Sequence, residues 1–529
     1  MLTTRKFLFF IGACLLIGLS STAQTKYILT SSPSTLNAIC SRHGLTTTNT
    51  VWSNPGYTYA VYLVTGSSST SIETMESQVL SDPDVDGFEA VQPVSLPELS
   101  GATSANLAQS TEAILQGLPG RTAVSYFGSS VPSNYVQQTA TSIIRLPDAR
   151  GATGLTGYGV VAMIDTGVDL NHPALKSSLV AGYDFVHNVA SASELSDLSS
   201  GTAAALEQST EAILQGQGVV QLNASTLAIL DQSTEAILQG LPSAFGHGTM
   251  TAGLVHLIAP NTKIMPLKAF SADGSSDSLN ILRAIYFAAD HGANVISMSF
   301  EMAEASPGLQ TAIYYAQSKG VLTVASAGND NAATPVTPAS LPNVFGIGST
   351  SNADAKSSFS NFGCANVMFA APGEGVITTF PGDNYAAAWG TSFSAPIVSG
   401  AASLLQQQQP GIRSGDVVKA LWHAVAIPQM GHGRIDLLQA LTNSSGGGSD
   451  DGCSTGTESG GGGGGGGGSS PGGPPSGTSG GGGTSGGGGG SSGGSGRGGR
   501  GGGGGGSASN GDSGGHGGRG GHGRHGGDD

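Results

Sequence analysis

Val160-Val161-Ala162-Met163-Ile164-Asp165-Thr166-Gly167-Val168-Asp169 decides how this chain is read. Its first five residues are apolar without alternation, which is the pattern of a strand buried on both faces of a parallel sheet. The run closes on a carboxylate, and Thr166-Gly167 begins a loop, so Asp165 stands at the strand's end. Similar apolar runs return at Ile264–Ala269, Asn294–Met298, Val321–Ser326 and Val344–Gly348. Helical patterns lie between them, over Ser278–His291 and Leu309–Lys319. From Tyr135 to Leu441 this alternation predicts an α/β fold: a parallel sheet with helices on both faces.

Three further stretches carry chemistry. They are Gly246-His247-Gly248-Thr249, Ala325-Ser326-Ala327-Gly328-Asn329 and Gly390-Thr391-Ser392-Phe393-Ser394-Ala395-Pro396. A serine becomes a nucleophile only if a base takes its proton and donors hold the oxyanion that forms. His247 is a candidate base, and Asp165 a carboxylate able to fix its tautomer. Ser392 reads as the start of a helix, where free N–H groups and the positive dipole end favour negative charge. Asn329 follows a strand and a glycine, which presents its amide at a strand end. Each stretch alone has an ordinary alternative. Asp165 could cap a helix, His247 could be a buried structural histidine, and Asn329-Asp330-Asn331 is turn-like. A capping role for Ser392 is compatible with nucleophilicity.

Together, in the order Asp, His, Asn, Ser, these four stretches resemble the subtilisin-like serine proteases, the subtilases. The resemblance runs from about Tyr135 to Leu441, apart from an insert near Ala190–Ala244. It implies the subtilisin fold and a serine endopeptidase in which Asp165, His247 and Ser392 form the triad and Asn329 donates to the oxyanion. It implies that Ser299-Phe300-Glu301 and Val336 line the substrate cleft. There the chain departs from the family: Glu301 stands where a glycine is usual, Val336 where many relatives have glycine at the primary pocket, and Met250 where a second histidine is common. The two cleft changes argue against a broad taste for large apolar side chains. No ligand cluster suggests a metal, so no cofactor is expected, with surface calcium left open. Two rivals were weighed. A catalytically impaired scaffold would have no need of all four residues, and an esterase of the α/β-hydrolase type would carry Gly-x-Ser-x-Gly, which is absent.

Outward from this core, residues 1–23 read as a signal peptide. Arg5 and Lys6 precede an apolar run from Phe7 to Leu19, and small residues lead to a cleavage site after Ala23. Residues 24–99 alternate strand and helix signals: strands at Tyr27–Thr30, Tyr59–Val64 and Gly87–Val91, helices at Ser34–His43 and Ser71–Leu80. That is a small α+β domain, and its position resembles the subtilase inhibitory propeptide. A small-residue linker follows over 100–130, then the catalytic domain over 131–443. The expected partners are protein or peptide substrates and the chain's own propeptide as intramolecular inhibitor. A formal net charge of −15 favours neither nucleic acid nor anionic membrane as a partner. The mature form is expected to be secreted or extracytoplasmic, away from the membrane. Cys14, Cys40, Cys364 and Cys453 are scattered and read as no disulfide framework.

The nonapeptide Gln-Ser-Thr-Glu-Ala-Ile-Leu-Gln-Gly occurs at Gln109–Gly117, Gln208–Gly216 and Gln232–Gly240, with a degenerate copy at Ser225–Leu230. Read as a helix, Leu227, Leu230, Thr234, Ile237 and Leu238 share one face. Stacked strands or a loose surface loop are the alternatives. Over 444–529 the composition collapses: from Gly446 on, 47 of the chain's 87 glycines fall in 84 residues. Such a segment buries too little apolar surface to fold. Arg497, Arg500, Arg519, Arg524, His516, His522 and His525 give it basic groups. A chain ending at Ser445 is therefore expected to keep its melting temperature and its activity on a small peptide. A large loss of either would show that the tail folds onto the rest.

Overall fold

The computed structural model describes residues 24–96, 122–203, 219–223, 226–229, 241–302, 306–422 and 424–442. The expected signal peptide, most of the linker, the three exact nonapeptides and the glycine-rich tail lie outside them. The centre is a seven-stranded sheet in which every pairing is parallel. Val160–Asp165 lies between Lys263–Lys268 and Val295–Met298, and the sheet continues through Leu322–Ser326 and Val344–Thr350 to Phe369–Pro372. Alternate side chains of the Asp165 strand serve different layers. Val161 and Met163 pack with the helices His247–Ile258 and Thr391–Gln408, while Ala162 and Ile164 pack with Ser278–Asp290 and Pro307–Ser318. Both faces are thus covered, as the unbroken apolar runs require, each buried side chain contributing roughly 1.5–3 kcal/mol.

The N-terminal α+β module is a four-stranded antiparallel sheet with two helices. Its outer strand, Thr46–Ser53, escaped the sequence reading because six of its eight residues are exposed and it shows no apolar alternation. The helix expected to start at Ser34 instead runs Leu36–His43 with Thr35 at its N-cap position. The second helix is capped as expected, with Ser71 accepting from the Thr74 N–H.

The module docks on the two outer helices through aromatic rings. Trp52 stacks on Tyr286 with centroids 4.6 Å apart and meets Tyr315 edge-on at 4.6 Å. Its indole N–H donates to Asp290 Oδ2 at 2.9 Å, and Tyr315 donates to the other oxygen of the same carboxylate. At the module's far end, Glu89 accepts from Ser306 Oγ at 2.8 Å.

Two expectations need correction. The linker was expected to run to residue 130, yet Ala123–Tyr126 and Ser129–Pro132 form a hairpin whose Tyr126 hydroxyl reaches the Leu257 carbonyl. The degenerate repeat reads as a helix in preference to stacked strands or a loose loop, yet Thr226–Ile229 is a strand. It pairs with Val219–Asn223 on one side and Asn384–Ala388 on the other. A ready-made edge two residues before Gly390 offers ladder partners that outweigh a weak helical period. Cys364 is disulfide-bonded, which the scattered cysteines had not foretold, and its partner lies outside the described residues.

Trp52→Ala removes a stacked ring and strips Asp290 of a donor. Its urea midpoint should fall by the equivalent of about 3–5 kcal/mol, whereas Trp52→Phe should lose only about 1–3 kcal/mol with the hydrogen bond. Equal losses in the two variants would show that the ring stack contributes nothing.

Candidate active site

The Asp165 strand ends where the His247 helix begins. His247 Nδ1 and Asp165 Oδ1 are 2.7 Å apart, both side chains nearly fully buried. Asp165 Oδ1 also accepts the Thr166 N–H at 2.8 Å, and its Oδ2 accepts Thr251 Oγ1 at 3.0 Å. With acceptors on its Nδ1 side, the neutral imidazole carries its proton there and leaves Nε2 as the base. Burial opposes the imidazolium, but the charge of Asp165, its hydrogen bond and the charge of Glu194 outweigh it, so His247 titrates above the ordinary histidine range. The approach needs glycine: a Cβ on Gly248 would lie 1.9 Å from the Gly167 carbonyl oxygen.

Ser392 lies in the first turn of Thr391–Gln408, as expected, with Gly390 at the N-cap. Its Oγ is buried and has no hydrogen-bond partner among the described residues. Phe393, the next residue, stands 5.4 Å from the His247 ring, centroid to centroid, which brings the serine-bearing turn beside the imidazole. Pro396, four residues on, has no N–H to give the Ser392 carbonyl. Ser299 Oγ donates to that carbonyl instead, at 2.9 Å. The side chain of Ser299, read from sequence as lining the substrate cleft, therefore braces the serine-bearing turn.

Asn329 follows the strand Leu322–Ser326. Its Oδ1 accepts both Thr391 N and Thr391 Oγ1 at 2.9 Å. This fixes the amide, and its Nδ2 donor lies beside Gly390: a Cβ built there would be 3.4 Å away.

The other cleft residues divide. Phe300 is buried against Phe270, with ring centroids 5.4 Å apart, and faces the core. Glu301 is half-buried, with Oε2 enclosed and unpartnered among the described residues. Burial, with the charge of Asp330 added, pushes its pKa up to about 7. Val336 packs on the same apolar layer, and its N–H donates to Asn366 Oδ1 at 3.3 Å. Met302 N donates to the Thr337 carbonyl at 2.8 Å, which ties the Glu301 and Val336 segments together.

The chain's own N-terminal module lies in this cleft. Pro93–Ser95 pairs antiparallel with Ser275–Asp277, and Ser95 bridges Glu301 on the other side. Leu96 N donates to the Gly274 carbonyl at 3.0 Å.

Sequence reasoning missed Glu194. This fully buried carboxylate sits at the start of the His247 helix. Its Oε1 accepts Gly246 N at 2.8 Å, Gly248 N at 3.3 Å and the Thr166 hydroxyl. Its Oε2 accepts Thr249 N at 3.0 Å and the Thr249 hydroxyl. Burial raises its pKa to about 7 despite these donors, and Asp165 adds repulsion. A lone glutamate in Ser191-Ala192-Ser193-Glu194-Leu195-Ser196 gives no sequence signal. Close by, the fully buried Lys268 donates Nζ to Asp197 at 2.8 Å and to the carbonyls of Thr166 and Phe270.

Residues 159–456 match the Subtilase family profile. Over 248 residues the chain is 35% identical to the thermophilic serine proteinase of Bacillus sp. (strain AK1), an alignment covering 47% of this chain and 52% of that protein. It is 32% identical over 258 residues to thermitase of Thermoactinomyces vulgaris, covering 47% of this chain and 75% of thermitase. The structure of fervidolysin from Fervidobacterium pennivorans, a keratinolytic enzyme related to subtilisin, superposes with a TM-score of 0.54 at 19% identity. That match covers 79% of this chain and 61% of fervidolysin, and it speaks to fold alone.

Glu194 yields a pH prediction. Its folded pKa of about 7 lies above the unfolded value of about 4.3. Between the two, the folded chain holds a proton that the unfolded chain has released, so stability falls as pH rises through that window, by on the order of 3 kcal/mol. Urea unfolding at pH 5 and pH 8 should show a smaller fall in Glu194→Gln than in the wild type. The variant should also be weaker at pH 5, because an amide offers donors where Thr249 N needs an acceptor. An unaltered pH dependence would remove Glu194 from the account.

Proposed function

This chain belongs to the subtilase family, and on that premise we propose that it is a secreted serine endopeptidase made as a zymogen. The observation that carries the reading is the 2.7 Å contact between His247 and Asp165, with the His247 ring packed on Phe393, the neighbour of Ser392. In the proposed reaction, Ser392 Oγ attacks the peptide carbonyl while His247 Nε2 takes its proton. The C–N bond breaks as His247 returns that proton to the leaving amine, and an acyl-enzyme remains. Water, deprotonated by the same nitrogen, then releases the acid and restores Ser392. Asp165 orients the ring and stabilises the imidazolium. Asn329 Nδ2 and the Ser392 N–H, at a helix start, are placed to donate to the oxyanion.

Each step has a side chain in reach, and none calls for a cofactor. Substrate enters as an extended strand between Ser275–Asp277 and Glu301, the position held here by Pro93–Ser95. The N-terminal module is accordingly read as an intramolecular inhibitor, released when the linker beyond Leu96 is cut. Secretion is proposed from the N-terminal signal alone. Among the described residues no helix is long and apolar enough to cross a membrane.

Ser392→Ala should stay folded, stay full-length and lose both peptide hydrolysis and labelling by a fluorophosphonate. Retained labelling would sink the assignment. Asn329→Leu should lower kcat by about 10²–10³ with little change in KM, a magnitude carried over from subtilisin. An effect on KM alone would put Asn329 in substrate binding instead.

A further inference from the structure

Glu301 is the charge in the cleft that the proposed chemistry leaves unused. Its Oε2 is buried with no hydrogen-bond partner among the described residues. None of the ion pairs formed by those residues includes it, and the nearest charge acting on it is the like charge of Asp330. An unpaired buried carboxylate is costly, so such a group calls for a partner that arrives from outside.

Position says what would supply that partner. Oε2 lies against Gly328: a Cβ built there would come within 2.6 Å of it. Gly328 directly precedes Asn329, the candidate oxyanion donor, so the carboxylate stands beside the reacting carbonyl. The peptide in the cleft passes the same residue, since Ser95 bridges Glu301 through the backbone. Val336, tied to this wall through the Met302–Thr337 hydrogen bond, adds an apolar surface. An apolar side chain entering here buries against a carboxylate and leaves it unpaired. A guanidinium or ammonium lays its methylenes on the apolar wall and pairs its head with Oε2.

The sequence supplies an independent observation. From Gln24 to Arg121 the only basic residues besides histidine are Lys26, Arg42 and Arg121. Lys26 lies within the strand Gln24–Ser31, and Arg42 lies in a helix, held by Asp82 and Asp84. Arg121 directly precedes Thr122, and the hairpin of the following module begins at Ala123. A cut after Arg121 would free the N-terminal module without severing any described element.

We propose that this enzyme selects arginine or lysine immediately before the scissile bond, that Glu301 is the selecting residue, and that maturation includes a cut after Arg121 made by a copy whose cleft is free of Pro93–Ser95. The proposal rests on the protease reading above and names its substrate class.

Peptide p-nitroanilides identical except for the residue before the anilide (Arg, Lys, Leu, Phe or Ala) test it, alongside fluorophosphonate labelling. The wild type should favour Arg and Lys over Leu and Phe by on the order of 10² in kcat/KM, the scale of one charge-assisted hydrogen bond. In Glu301→Gln that ratio should collapse to below about 10. In Glu301→Gly it should turn toward Leu and Phe. N-terminal sequencing of the matured chain should read Thr122-Ala123-Val124, and Arg121→Gln should slow its appearance or move it.

Labelled wild type that prefers Leu, Phe or Ala overturns the specificity and leaves the protease reading standing. So does a Glu301→Gln variant that labels yet keeps the wild-type ratio. Wild type that neither labels nor cleaves any member overturns both.

Discussion

The approach of the His247 helix to the tip of the Asp165 strand is the constraint on which the rest depends. Gly248 passes so near the Gly167 carbonyl that no side chain fits between them. Gly253, one turn on, meets Thr378 and Thr379 as tightly, each hydroxyl within 2.3 Å of a built Cβ. Only at this spacing does a helix-borne imidazole reach a strand-borne carboxylate at 2.7 Å. Thr378 and Thr379 donate to the carbonyls of Met250 and Thr249, which locks the same helix onto the hairpin leading to Ser392. Asp165 and His247 are held together by backbone proximity first and by their own contact second.

That packing buries charge, and the charge has to be answered. Asp165 and Glu194 bring two carboxylates to one helix start. The cost is met by the free N–H groups of that start and by threonine hydroxyls from both elements. Glu194 takes Gly246, Gly248 and Thr249, while Thr251 turns to Asp165. Lys268, fully buried at the end of the next strand, holds the Thr166 carbonyl and Asp197. Through Asp197 and Glu194, the short turn Glu194–Asp197 at the beginning of the insert is fastened to the ends of the Asp165 and Lys268 strands. Burial working against ionisation, and Asp165 and Glu194 working for the imidazolium, leave the histidine more basic than usual. Burial first, with the charge of Asp165 added, raises Glu194, and both carboxylates favour a positive charge on the ring.

Much of this was legible in the sequence, for a physical reason. Strands buried on both faces cannot alternate, so Val160–Ile164 and its parallel neighbours announce themselves, and a carboxylate closing such a run is conspicuous. Gly248, Gly328 and Gly390 stand next to or within two residues of His247, Asn329 and Ser392 in the sequence, where a close approach would need them. What stayed hidden is held by partners far away in the chain. Thr46–Ser53 has no apolar face because its exposed residues flank one anchoring tryptophan. Pro93–Ser95 becomes a strand only because Ser275–Asp277 lies beside it. Thr226–Ile229 carries a helical period yet joins the Asn384–Ala388 edge. Glu194 and Ser299 are unremarkable letters whose work is to answer one backbone defect each: an uncapped helix start and the donor that Pro396 lacks.

The N-terminal module makes its contacts in two chemically different ways, and the difference bears on how it leaves. Along the outer helices the grip is aromatic and apolar, with Asp290 satisfied by Trp52 and Tyr315, so it is insensitive to salt and holds while the chain is intact. In the cleft the grip is backbone pairing beside Glu301, which any extended peptide can reproduce. Glu89 adds a third contact, a carboxyl whose pKa burial raises and whose second oxygen finds no partner among the described residues. Because its bound pKa lies above the ordinary glutamate value, the bound module holds a proton that the free one gives up, and docking weakens as pH rises through that interval. On the proposed zymogen reading, a cut linker would make the cleft strand compete with substrate, and the aromatic face would set how long the module stays.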